Sequence, residues 1–406
     1  MEWIDRFLDD LVLYHAELAD GTTLINDAVR LGWQGNLWHC RLTHGLVMEE
    51  NPFSLACERR ETDRDSLYEL ALGDMRVFCE LFRMRLDNPV LMDFRHESAM
   101  ARSASAGKIT ALSAALANAG TPDRMLALLT EHYRKNGVGM LGMGDIFRVR
   151  EKGGRAVLFP VENRRAVKLD DLVGYEAQKE QLLSNTIAFL RGRHANNVLL
   201  YGDAGTGKST SIQAIAGQYA AQGLRVVELY KHQFGLIPDV LGQLKGRNYR
   251  FILFLDDLSF EETETSYKHL KAVMEGGAEA APENVRIYAT SNRRHLIRET
   301  WNDRSDMQHD GDIHRSDTME EKLSLAGRFG LQIYYPNPSF EEYHAIVRSL
   351  AAQEPALSSV SEAQLRSAAA AWQVRRGSRS GRAARQFIDD LVTKHDEAGE
   401  SEDGAC

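Results

Sequence analysis

Apolar positions in the first 160 residues recur at three-and-four spacing between short polar breaks, the periodicity of helices with one buried face. From 61 to 86, Leu67, Leu70, Ala71, Met75, Phe78 and Phe82, with Asp74 among them, trace one stripe that stops before Pro89. Thr121-Pro122 opens another helix, on which Leu126, Leu129 and Tyr133 share a face until Asn136-Gly137 ends it. A helical N-terminal domain is expected over 1–160.

After Gly154 the pattern changes to short apolar runs alternating with helical stretches, which predicts a doubly wound α/β core with a parallel sheet. Five strands are expected: Asn197 to Tyr201, Arg225 to Tyr230, Phe251 to Leu255, Val285 to Thr290 and Leu331 to Tyr335. Val198-Leu199-Leu200 and Phe251-Ile252-Leu253-Phe254-Leu255 are continuously apolar, as strands covered on both faces must be. This core is placed at 161–336. Past Pro336-Asn337-Pro338 come three helical stretches, Phe340 to Gln353, Ser361 to Trp372 and Gly381 to Lys394, read as a lid over 337–395. The segment 396–406 holds five acids and no base, and is expected to be a solvated, disordered tail.

Composition narrows the classes. The chain has 406 residues, 26% charged and 43% hydrophobic, enough for two or three domains. Lys plus Arg number 49 against 58 Asp plus Glu, a net charge of −9, which argues against bulk nucleic-acid binding. Met1 to Leu18 is acidic and amphipathic, unlike a signal peptide, and no apolar run nears the ~18 residues that span a bilayer. Cys40, Cys57, Cys79 and Cys406 lack the short paired spacing of a disulfide framework or zinc module. A cytoplasmic protein with reduced thiols is expected.

The sharpest chemical signal is Gly202-Asp203-Ala204-Gly205-Thr206-Gly207-Lys208-Ser209, a G-x-x-x-x-G-K-S/T phosphate loop (Walker A) between an expected strand and an expected helix. Its glycines let backbone N–H groups turn toward phosphates, Lys208 reaches the β- and γ-phosphates, Ser209 ligates Mg²⁺, and Thr210 continues the nucleotide-contacting turn. The apolar run 251–255 then delivers Asp256 and Asp257 (Walker B) at the sheet edge where ligands of open α/β sheets bind. Asp256 is assigned to the metal and Asp257 to the attacking water. The cofactor set is therefore ATP and Mg²⁺.

With these residues, Leu169 to Glu176 resembles the segment before the phosphate loop of AAA+ ATPases, which implies that Val173 and Gly174 flank adenine. Ala289-Thr290-Ser291-Asn292 resembles sensor 1, implying Asn292 as the water or γ-phosphate sensor. Leu325 to Gly330 resembles the arginine-finger box, implying that Arg328 reaches a neighbouring subunit. Ser380 to Arg385 resembles the sensor 2 helix, implying Arg382, with Arg385 second. The resemblance runs from about Leu169 to Leu391 and implies a P-loop AAA+ fold. The whole chain, including Glu320 to Leu325, resembles a group of bacterial AAA+ proteins described only as predicted ATPases of unknown function. One departure stands out: AAA+ motors usually carry Glu where this chain has Asp257. The carboxylate is then one methylene shorter, about 1.5 Å, which weakens water activation and leaves slow hydrolysis open. Glu261 or Glu262 could compensate if the loop folds back, although as neighbours in an acidic run they read rather as a solvated face.

Other signals are weaker. Gly137-Val138-Gly139-Met140-Leu141-Gly142 spells G-x-G-x-x-G, but it follows a helix and leads into Phe147 to Arg150 with no helix start, so a linker or tight packing turn is expected. His309 to His314 with Asp317 reads as a solvated loop, and His39-Cys40 with His44 as a core or partly exposed cluster. Lys231-His232-Gln233-Phe234-Gly235 occupies the place of an aromatic pore loop, although an aromatic there is more often core. Five arginines between Arg375 and Arg385 leave a nucleic-acid contact open. The expected function is Mg-ATP hydrolysis by a ring or smaller self-oligomer that remodels or regulates an unidentified protein partner. The alternatives are a nucleic-acid loader or a nucleotide-gated switch with negligible hydrolysis.

Overall fold

The computed structural model describes residues 21–61, 66–85, 88–97, 103–161, 167–260, 267–275, 281–292 and 325–403. The expectations on Met1 to Leu18, Glu261, Glu262, 309–317 and 320–324 lie outside these residues.

The chain divides into two compact units. The first comprises Met1–Arg150, Leu158–Arg165 and Gly246–Tyr249; the second comprises Glu151–Val157, Ala166–Lys245 and Arg250–Cys406. The boundary near 160 is thus interleaved, and four residues from deep inside the expected α/β segment belong to the helical unit.

In the helical unit the main helices are α1 (Thr22–Leu31), α2 (Leu37–Met48), α3 (Pro52–Arg59), α4 (Ser66–Arg83), α5 (Ala104–Ala117) and α6 (Pro122–Asn136). Local chemistry sets their ends: Asn51 and Ser54 form a reciprocal cap on α3, and Thr121 accepts from Arg124 N at the start of α6 with Pro122 in its first turn. α2 packs on α5, and α3 and α4 pack on α6. On α4 the buried face is Ala71, Met75, Phe78, Cys79 and Phe82; Leu70, expected in the stripe, is 68% exposed. A helix twists its apolar row past the core, so the row's outer edge meets water. Cys40 is a core residue and His39 is half-buried: the His39 ring pairs with Phe82 O at 2.9 Å, and Cys40 lies against Ser113 Oγ at 3.5 Å.

The sheet has seven strands: β1 (Ile146–Lys152), β2 (Arg155–Pro160), β3 (Val198–Gly202), β4 (Leu224–Leu229), β5 (Arg250–Leu255), β6 (Val285–Ser291) and β7 (Leu331–Tyr335), in the order β2-β1-β4-β5-β6-β3-β7. The five expected strands are present as the parallel set β4-β5-β6-β3-β7. The expected count of five is corrected to seven by the β1–β2 hairpin. Its two-residue turn, Gly153 (φ 59°) and Gly154 (φ 75°), has the positive angles that a tight hairpin demands.

Helices α7 (Glu176–Leu190), α8 (Lys208–Tyr219), α9 (Ile237–Leu244) and α10 (Tyr267–Met274) accompany the sheet, and α11 (Phe340–Ala351), α12 (Glu362–Arg376) and α13 (Gly381–Asp403) form the lid. Tyr343, Val347, Leu365, Trp372, Phe387 and Ile388 build the lid's core, against which Val173 packs. α13 runs on to Asp403 through most of the segment expected to be a disordered tail. Its backbone continues the helix begun by the buried Phe387 face, a propagation that composition does not register.

Candidate functional site

Residues 203–207 link the end of β3 to the start of α8. Gly202 (φ 137°), Gly205 (φ 78°) and Gly207 (φ 92°) all take backbone angles closed to L side chains. Space is also exhausted: a Cβ on Gly202 would lie 2.1 Å from Tyr335 O, and one on Gly205 2.8 Å from Ser380 Oγ and 3.1 Å from Arg382 Cβ. The lid helix therefore starts directly over the loop, with the Arg382 Cβ beside Gly205.

Lys208 is buried, and its ammonium donates to Gly202 O (2.9 Å), Asp203 O (2.6 Å) and Asn292 Oδ1 (3.1 Å). Burial pulls its pKa below the ordinary lysine value; Asp203, Asp257 and Asp256 oppose that pull, while Arg382 adds to it. Sheet register places its partners. Leu255 pairs with Ala289, so the next residues, Asp256 and Thr290, stand side by side; Tyr201 pairs with Ser291, which carries Asn292 to the end of β3.

Two bonded groups result. Asp256 Oδ1 accepts from Ser209 Oγ at 2.5 Å and from Thr290 Oγ1 at 2.6 Å. Asp257 Oδ1 accepts from Asn292 Nδ2 at 2.8 Å, and the Asp257 N–H donates to Thr290 Oγ1 at 2.9 Å. Asp257 has φ 53°, a left-handed angle that favours glycine or a short polar side chain. That angle turns the chain sharply off β5 and leaves both carboxylates at the exposed sheet edge.

Hard oxygen donors from Ser209 and Asp256 meeting at one point are the donor chemistry Mg²⁺ takes, so these residues fit that ion. The glycine-lined turn at the N-terminus of α8 fits phosphate.

Gly174 (φ 80°) and Tyr175 (φ 62°) turn the chain into α7. The Tyr175 hydroxyl donates to Pro336 O at 2.8 Å, fastening this segment to the chain that leads into the lid. Arg328 does not join the phosphate group: its Nη2 is 2.9 Å from Glu275 Oε1. Arg385 is paired with Glu354 of the lid at 3.2 Å. Arg375 and Arg376 lie over the Trp372 ring. Phe234 is buried edge-on against Phe260, a core placement for the aromatic of the candidate pore loop. Sequence reasoning missed Thr290, Tyr175 and Ser380 as site residues. Thr290 had a signal in its place one residue past Ala289 on a strand parallel to β5; the other two had none, since only the fold brings them in.

A parallel sheet with a glycine-lined phosphate turn, a buried lysine and paired acids at its carboxyl edge defines a P-loop protein of the AAA+ superfamily. The chain belongs to the family described as protein of unknown function DUF815, whose model matches residues 144–395, more than half of the chain. It is 25% identical over 236 residues to "ATP-dependent zinc metalloprotease FtsH 3" of Symbiobacterium thermophilum, covering 51% of this chain and 34% of that protein. Over 104 residues it is 34% identical to the replication factor C large subunit of Methanococcus vannielii, covering 24% of this chain and 21% of that one. It is 26% identical over 198 residues to the proteasome-activating nucleotidase of Archaeoglobus fulgidus, covering 45% and 47%. The chain thus spans less than half the length of each of these relatives. Among solved structures, the RuvB Holliday junction branch migration motor of Thermotoga maritima is matched at 19% identity and TM-score 0.39, over 57% of this chain and 71% of that one. Among the described residues no helix is long and apolar enough to cross a membrane.

Proposed function

We propose that this protein hydrolyses Mg-ATP to ADP and phosphate and uses the cycle to remodel or regulate a protein partner. The observation that carries the reading is the pair of bonded groups joining Lys208 and Ser209 of the phosphate turn to Asp256, Asp257 and Asn292. Residues Gly202 to Thr210 cradle the phosphates through backbone N–H groups, and Val173 with Gly174 flank the base. Lys208 offers its charge to the β- and γ-phosphates. Ser209 and Asp256 hold Mg²⁺, which neutralises charge on those phosphates. Asp257 orients and deprotonates the attacking water while Asn292 fixes the Asp257 rotamer. Arg382 stands over the turn to report γ-phosphate to the lid.

Arg328 acts in trans as the finger of a ring or smaller self-oligomer. It must first leave Glu275, and a half-exposed pair of this kind is worth only about 0–1 kcal/mol. A finger contributes a factor of about 10³–10⁵ in turnover, so release is readily offset. The acidic balance of the chain favours a protein partner over nucleic acid.

Steady-state ATP hydrolysis by wild type and Lys208→Ala across a concentration series, with oligomer mass measured in parallel, tests the proposal. Turnover per subunit should rise with concentration and vanish in the variant. Absence of ATP binding would refute the reading, and tight binding without turnover at any concentration would make the protein a nucleotide-gated switch.

A further inference from the structure

Arg247 is among the most enclosed charges in the described molecule, and the site above does not use it. It lies between α9 and β5, in the four residues Gly246–Tyr249 that belong to the helical unit. Its guanidinium forms a two-pronged pair with Glu58, Nε to Oε1 and Nη2 to Oε2, both at 2.8 Å. Nη1 reaches Glu50 Oε1 at 2.7 Å, and Nη2 also donates to Val138 O at 2.8 Å.

Each neighbour in the loop is held as well. Gly246 O accepts from Arg59 Nε at 2.9 Å, Asn248 Nδ2 donates to Glu58 O at 2.7 Å, and the Tyr249 hydroxyl donates to Asn136 O. The first two glycines of the G-x-G-x-x-G string form the seat. A Cβ on Gly137 would fall 1.6 Å from Tyr249 Oη, and one on Gly139 2.3 Å from Glu50 Oε1. That string is a packing turn whose small residues admit this loop.

Burying a guanidinium and a carboxylate this completely returns little net stability, because desolvation consumes what pairing gives. What a two-pronged pair supplies is geometry: it fixes where the loop sits and in which orientation. β5 starts at the very next residue, and after its six residues come Asp256 and Asp257. That strand is extended over all six residues and has no slack, since an extended backbone cannot lengthen, so Tyr249 and the two acids stand at a fixed separation. A displacement at Tyr249 is therefore delivered to the two acids.

We propose that Arg247 is a positioning residue that makes Gly246–Tyr249 a transmission element, coupling the nucleotide state at Asp256 and Asp257 to the conformation of the helical unit. The inference rests on the proposed nucleotide site. Coupling of this kind is reciprocal, so a ligand on the helical unit alters the ATP site by the same factor that ATP alters the helical unit.

Hydrogen–deuterium exchange of the full chain, with and without Mg-ATP, tests it. In wild type, Mg-ATP should slow exchange at residues 202–209 and also, by about fivefold or more, at Val138 and Gly139, whose amides donate to Glu58 Oε2 and Val47 O. In Arg247→Met/Glu58→Gln, which removes both members of the buried pair, the effect at 138–139 should disappear. Protection at 202–209 and ATP affinity should stay within about threefold of wild type, well under the coupling factor. Arg247→Lys, which keeps the charge but loses the fork, should give an intermediate response and guards against misfolding of the double variant. Protection confined to 202–209 in wild type, or persistence of the 138–139 effect in the double variant, would overturn the proposal. No protection anywhere would instead overturn the nucleotide site itself.

Discussion

Thr290→Val keeps the side chain's shape and deletes one hydroxyl, which is 2.6 Å from Asp256 Oδ1 and 2.9 Å from the Asp257 N–H. A hydrogen bond to a charged acceptor contributes about 1.5–3 kcal/mol, and a buried amide left without a partner costs about 1–3 kcal/mol. Thr290 is 2% exposed, but both carboxylates face solvent, so water recovers part of the loss and a total of about 2–3 kcal/mol is expected. Part of it appears as stability. The rest appears in turnover, because the Asp257 backbone, held at φ 53°, loses the bond that pins it. A loss of 1.4 kcal/mol in transition-state stabilisation is about tenfold in rate, so with the total shared between stability and turnover kcat should fall by about tenfold while KM changes little. Urea unfolding and steady-state ATP turnover of wild type, Thr290→Val and Thr290→Ser give the answer. The Ser variant retains the hydroxyl and should keep most of the rate. If Thr290→Val matches wild type in both assays, Thr290 does not hold the two acids and the reasoning from sheet register to catalysis is wrong.

Three further outcomes are expected. Gly205→Ala forces a side chain into φ 78° and against Ser380, so ATP affinity should drop by at least about tenfold, measured by titration; unchanged affinity would mean that the lid does not need its approach to the loop. Arg328→Ala should lower turnover by about 10³–10⁵ with affinity for ATP kept, and full activity would remove it from the mechanism. His44 and His132 are held near a pKa of about 4 from an ordinary 6.5, chiefly by burial and secondarily by Arg41 and Lys108 respectively. Their folded values are depressed, so the stability they permit is intact above pH 6.5 and is lost as pH falls toward 4, by up to about 3 kcal/mol each. Urea unfolding at pH 7, 5.5 and 4.5 should show that slope in wild type and a flatter one in His44→Gln/His132→Gln; equal slopes would contradict the assignment.

Much of the core was legible in local pattern. The continuously apolar runs at 198–200 and 251–255 announced strands buried on both faces, and both are central in the parallel sheet. The lid helices carry their own start signals, Ser339 with Glu342 and Ser361 with Gln364. The β1–β2 hairpin was missed although Gly153-Gly154 marks it, because its strands mix Phe147 and Val149 with charged residues and fall inside the stretch expected to be helical.

What the chain determines by itself is whatever can be stated over a few consecutive residues: the glycines, lysine and serine of the phosphate turn, the paired acids after an apolar strand, and the order in which they come. These depend on backbone freedom and hydrophobic periodicity, which neighbours in sequence already contain. The tertiary structure alone decided that Thr290 stands beside Asp256, that Ser380 closes over Gly205, and that Arg328 is held by Glu275. It alone brought Glu58 to Arg247, 189 positions apart, and made the glycine string the seat of that pair. Pairing across such distances is selected by register, burial and shape once the whole chain has collapsed, and no local pattern carries that information.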